Sequence, residues 1–134
     1  MIYKQYINIY NLMLQSLFFV NGIYDILCAA CILKIIDIPF LSELHTSMIK
    51  IKNPVSERFL AYWIFTYGII RISGNRPLIS YSYFIEAAFF ANEFILDNVY
   101  TEKTIFVVAS SLVLGVSSIE KLNFFSETGI LTIK

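Results

Sequence analysis

The sequence predicts an all-α integral membrane protein: a bundle of four transmembrane helices with a short amphipathic helix at the interface after the first. Three observations predict it. Apolar residues make up 57% of the 134-residue chain and charged ones only 15%, against the ~45–50% and ~25% usual in soluble domains. A soluble domain this short buries well under three quarters of its surface, so it has nowhere to hide that much apolar side chain. Four segments approach the ~20 mostly apolar residues that cross ~30 Å of hydrocarbon. All of it forms one domain.

The first span covers about residues 10–35 and stops near Asp37-Ile38-Pro39, where proline's missing N–H halts a helix. Lys4 is a weak n-region at best, and Asn8, Asn11, Gln15, Asn21 and Asp25 interrupt the apolar run after it. This segment therefore reads as a retained helix and not as a cleaved signal peptide. Between proline and the next span lies the interfacial segment, 40–52. Its Leu41, Leu44, Met48 and Ile51 recur along one helical face, the mark of a helix lying in the membrane surface.

The second span, about 56–73, begins after Pro54 and ends before Gly74-Asn75-Arg76-Pro77, a strong turn signal. The third runs over about 78–97 and the fourth over about 103–119. The second and fourth are short and the third carries carboxylates, so these spans need neighbours to pack against. The last dozen residues, 123–134, are too short to cross and read as a surface tail or a strand that docks on a partner. Basic residues give no orientation: Lys4, Arg71, Arg76, Lys121 and Lys134 would face Lys34, Lys50, Lys52, Arg58 and Lys103, which leaves the positive-inside rule balanced.

Ionisable groups inside spans cost at least ~2.5–3.5 kcal/mol each on insertion scales and require partners. Asp25 lies in the first span with Asn21 and Cys28 on its face, Arg58 and Arg71 bracket the second, and Glu86 and Glu93 share a stripe of the third. Comparing depths along antiparallel spans predicts two structural ion pairs, Arg58–Glu93 and Arg71–Glu86. Asp25 then shares Arg58 or binds Asn21 and tyrosines. The same carboxylates, Asp25, Glu86 and Glu93, support the alternative of a small transporter, channel or membrane enzyme.

In the fourth span Ser111, Gly115 and Ser118 align at i, i+4 and i+7, with Ser110 and Ser117 beside them, a face that lets helix backbones approach closely. Tyr3, Tyr6, Tyr10, Tyr81 and Tyr83 suit an interfacial belt, and Trp63 a deeper contact with a neighbouring helix. Cys28 and Cys31 form a C-A-A-C spacing, which inside an apolar helix reads first as small packing residues and second as a redox pair. Ten basic and ten acidic residues cancel, so no nucleic-acid partner is indicated. The chain has a single His45 and lacks a phosphate loop, H-E-x-x-H or G-x-S-x-G, so no catalytic, cofactor or metal site is expected. The expected partners are the lipid bilayer, larger membrane proteins and a lipid bound within the bundle.

Arg58, Trp63 five residues on, Arg71 thirteen on, and a third span ending in Phe90-x-x-Glu93 resemble the ergosterol biosynthesis protein 28 family. That resemblance implies four spans, residence in the endoplasmic reticulum, and a scaffold that tethers sterol C4-demethylation enzymes while catalysing nothing itself. It covers about forty of the 134 residues. The link between the second and third spans is shorter here than in that family. The terminal Leu131-Thr132-Ile133-Lys134 also lacks a dilysine-type retrieval signal.

The leading expectation is therefore a non-catalytic membrane subunit or scaffold.

Overall fold

A computed structural model describes residues 2–119, so the 123–134 tail lies outside the described residues. The described chain is helical: α1 Ile2–Ile32, α2 Pro39–Thr46, α3 Pro54–Ile72, α4 Arg76–Ile95 and α5 Thr101–Ser118. An isolated antiparallel bridge joins Ile49 to Val99.

Helix ends follow local chemistry. Asn53 caps α3 by accepting from the Ser56 amide at 2.9 Å, with Pro54 in the first turn. Asn75 does the same for α4 through Leu78 at 3.2 Å. Each cap satisfies an amide that the helix leaves without a partner. The C-termini of α1 and α4 close alike. Lys34 (φ 62°) and Asp97 (φ 60°) take the left-handed conformation, while Ile35 N–H donates to Ala30 O and Asn98 N–H to Glu93 O. This is the wrap-back that normally recruits glycine.

These ends correct the expected boundaries. α1 begins at Ile2, well before residue 10, and stops at Ile32. The other long helices start about two residues earlier than expected, at their caps. The segment expected as helix over 40–52 is helical only through Thr46. Beyond it, Lys50 N–H donates to Asn98 O and Tyr100 N–H to Met48 O, so the α2–α3 and α4–α5 connections are pinned together. Asp97 lies past the end of α4 and pairs with Lys50.

The helices associate as two close pairs, α1 with α3 and α4 with α5. In the first pair glycine meets glycine: a Cβ on Gly22 would stand 2.7 Å from Gly68 O, and one on Gly68 2.8 Å from Gly22 O. Further along, Cys28 and Ala29 pack on Ala61 and Ile64, so the two helices run antiparallel. Cys28 and Cys31 are free, buried thiols. In the second pair Ser80 donates to Gly115 O at 3.1 Å. A cluster of Leu14, Phe18, Ile79 and Tyr83, with Ile70 and Leu114 against it, joins the pairs.

Among the described residues, α1 is the one helix both long and apolar enough to cross a membrane. Its 31 residues extend ~46 Å at 1.5 Å per residue. Residues 2–10 are exposed throughout, so the first third of α1 projects beyond its neighbours.

Candidate functional site: a buried arginine with two carboxylates

α3 carries its buried face along Ala61, Ile64, Gly68 and Arg71, positions three, four and seven apart. Arg71 thus points inward by the same phase that buries its apolar neighbours, and its side chain leans toward the N-terminus of α3, toward mid-helix. There its side chain is 2% exposed and all three guanidinium nitrogens donate. Nη1 donates to Asp25 Oδ2 at 2.6 Å, Nη2 to Glu86 Oε1 at 3.4 Å and Nε to Ser82 Oγ at 3.2 Å. The Tyr83 ring lies 3.8 Å and the Tyr67 ring 5.1 Å from Cζ, within cation–π range.

The surroundings hold these groups in place. Ser111 of α5 donates to Glu86 Oε1 at 2.6 Å, and Tyr83 Oη donates to Asn21 Oδ1. Four helices therefore meet at one charged centre. A buried arginine fork fits this role because its planar donors reach several acceptors at fixed angles.

Of the sequence-predicted residues, the structure brings Arg71, Asp25 and Glu86 together and leaves Arg58 and Glu93 apart. Arg58 is exposed and forms no ion pair among the described residues. Glu93 instead accepts from Asn98 Nδ2 at 2.8 Å. Helical phase is the reason: thirteen residues at ~100° each place Arg58 ~220° round the helix from Arg71. The two arginines face opposite ways. Asp25 accordingly meets Arg71 and not Arg58. Trp63 packs edge-on against Phe89 of α4 at 5.3 Å.

Ser111, Gly115 and Ser118 are buried along α5 and face α4. Ser111 binds Glu86, Gly115 O accepts from Ser80, and a Cβ at Gly115 would reach the Phe84 ring at 3.0 Å. Arg76 Nε donates to Ser118 O at 3.1 Å.

The charged centre borders a cavity of about 450 Å³ between α1, α4 and α5, closed on the α2 side by Leu44, His45 and Met48. His45 lines this cavity with Nδ1 buried and unpartnered. Burial holds its pKa below the usual imidazole range, with Arg71 acting the same way and Glu86 opposing. At the mouth Lys103 Nζ donates to Ser47 Oγ at 2.8 Å. The carboxylates thus both pair with an arginine and border a cavity.

His45, Tyr83, Ser82 and the Gly22–Gly68 approach are the parts that sequence reasoning missed. Gly22 and Gly68, one in each of two apolar segments, were the available signal for the last of these. Among the described residues no three His, Cys, Asp or Glu side chains gather as a metal site requires. Comparison of the chain with protein-family models, curated proteins and solved structures gives no match.

Proposed function

We propose that the chain is a multi-pass membrane protein in which α1, α3, α4 and α5 cross the bilayer, and that it serves as a non-catalytic subunit packing against larger membrane partners. The observation that carries the first part is an inverted distribution of side chains. Among the described residues thirteen hydrophobic ones are buried and thirty-seven large ones are exposed, while nine polar or charged residues occupy the interior. Water penalises such a surface, since soluble monomers rarely expose contiguous apolar patches beyond a few hundred Å². Lipid does not. α3, α4 and α5, of 19, 20 and 18 residues, extend ~27–30 Å at 1.5 Å per residue, close to the hydrocarbon thickness.

The subunit role is supported by what surrounds the polar residues. Arg71, Asp25 and Glu86 are engaged with one another and with Ser82 and Ser111, so they act as interhelical links. The projecting part of α1 and the turn that follows it offer Tyr6, Tyr10 and Met13, all exposed and one face of the helix by their i, i+4, i+7 spacing. Kinship with the ergosterol biosynthesis protein 28 scaffolds rests on the Arg58–Glu93 stretch and belongs to the same proposal.

Native electrophoresis of a mild-detergent extract tests this role. The 15.5 kDa chain should migrate in a larger assembly. Alanine at Tyr6, Tyr10 and Met13 together should release it as monomer, because those side chains support nothing inside the fold. A wild-type chain that migrates as monomer would remove the subunit reading. An assembly unaffected by the triple change would move the contact off α1.

A further inference from the structure

The two close helix pairs leave a looser seam between α3 and α4. At its Gly74 end Arg71 closes that seam by donating to Ser82 and Glu86. In the opposite half the seam opens into a cleft of about 360 Å³, bounded by Ile49 and Val99 of the isolated bridge.

The lining of this cleft is sorted along its length. Trp63 against Phe89 and Arg71 against Ser82 make α3 and α4 antiparallel neighbours. Ser56, Glu93 and Asn98 therefore share one end, near the start of α3 and the end of α4. Trp63, Ile64, Tyr67 and Phe89 lie further in. At 1.5 Å per residue Trp63 stands ~14 Å and Tyr67 ~20 Å from the start of α3. On the four-crossing reading, on which this inference rests, the polar end meets the headgroups and the aromatic end the hydrocarbon. Glu93 is the one charged residue among the described residues that line the cleft. It accepts from Asn98 Nδ2 at 2.8 Å and has no ion pair among the described residues.

An apolar slot that ends at a carboxylate fits an amphiphile with a thin apolar chain and a cationic end group. A partner helix does not fit inside. A cylinder ~10 Å across and as long as the ~16 Å from Ser56 to Tyr67 needs roughly 1,200 Å³. We infer that the cleft holds one acyl chain of a zwitterionic phospholipid, with the cationic end of the headgroup against Glu93. A headgroup without that cation leaves its phosphate charge facing a carboxylate of the same sign, which repels it.

Trp63 is the chain's one tryptophan, so its fluorescence reports on this cleft. The full chain is reconstituted into bilayers of phosphatidylcholine and phosphatidylglycerol in equal parts. One lipid or the other carries brominated acyl chains, which quench tryptophan on contact. Brominated phosphatidylcholine should quench Trp63 about twofold more than brominated phosphatidylglycerol, the modest preference that a part-exposed ion pair gives. Glu93→Gln should level the two, and Glu93→Lys should reverse their order. Equal quenching in the wild type, or an undiminished preference in Glu93→Gln, would overturn the inference and leave the four crossings intact. Quenching that fades as the protein-to-lipid ratio rises would put a second copy in the cleft, with the same consequence. No quenching by either lipid would overturn the four crossings and the inference with them.

Discussion

Replacing Arg71 with leucine should nearly abolish accumulation of the protein. The change strands Asp25 and Glu86, whose side chains are 5% and 12% exposed, with no cation between them. Removing one partner of a buried pair costs about 3–5 kcal/mol, and here one removal orphans two carboxylates. That is a large part of the ~5–15 kcal/mol that holds a domain folded. Adding Asp25→Asn and Glu86→Gln to Arg71→Leu should recover much of the loss, because the residual penalty is then only that of neutral polar groups. Arg71→Lys should fall between, keeping the charge but losing the fork that reaches Asp25, Glu86 and Ser82 at once. Arg58→Met is the control: Arg58 is exposed, and surface changes of this kind stay within ~0.5 kcal/mol. Thermal unfolding in mild detergent, with membrane abundance, reads all four. If Arg71→Leu proves as mild as Arg58→Met, the buried centre does not hold the helices together.

Gly68→Val should be the most damaging substitution outside that centre. A Cβ at Gly68 would lie 2.7 Å from Ile26 Cγ1 and 2.8 Å from Gly22 O, and the latter is backbone that cannot rotate away. α1 and α3 must then separate. Overpacking costs about 1–3 kcal/mol, and separation here also pulls Asp25 from Arg71, each three residues from the glycine contact. Gly68→Ala sets two effects against each other. Alanine gains up to ~1 kcal/mol of helix propensity, less than the clash with a fixed carbonyl costs, so the midpoint should still fall. Gly115→Ala is the contrast, because its Cβ meets only the edge of the Phe84 ring at 3.0 Å, which can give. A rise in unfolding midpoint for Gly68→Ala would show that the helices do not approach this closely.

Helix class and the existence of four long elements are legible in the sequence, since long apolar runs between Pro39, Pro54, Gly74-Asn75 and Tyr100-Thr101 leave little else to form. Where the helices start is half legible. Asn53-Pro54 and Asn75 carry the capping signal, yet starting the spans at Ser56 and Leu78, after the prolines, places each start about two residues late. α1 runs back to Ile2 because Tyr3, Lys4, Tyr6 and Asn8 are compatible with helix even where they do not resemble the middle of a span. The Ile49–Val99 bridge was illegible: one residue pair has no periodicity, and its partners are fifty positions apart.

The charged centre shows a different limit. Depth along antiparallel helices can be read by counting, and counting places Arg58 level with Glu93. Contact also needs azimuth, and Arg58 faces away from the interior that Arg71 enters. The buried series Ala61, Ile64, Gly68 and Arg71 held that information, but all-round hydrophobicity masks which face is inward. His45 looked like an interfacial polar residue because the turn of α2 that carries it over the cavity is a tertiary fact.

Cysteine accessibility tests most directly whether four helices cross the membrane. Single cysteines are placed at Ile2, Lys50, Gly74 and Asn98 in a chain whose Cys28 and Cys31 are alanine, and labelled by a membrane-impermeant maleimide in sealed vesicles. Four crossings place Lys50 and Asn98 on one side, with Ile2 and Gly74 together on the other. Labelling of Lys50, Gly74 and Asn98 all from the same side, opposite Ile2, would contradict this and leave α1 as the sole span.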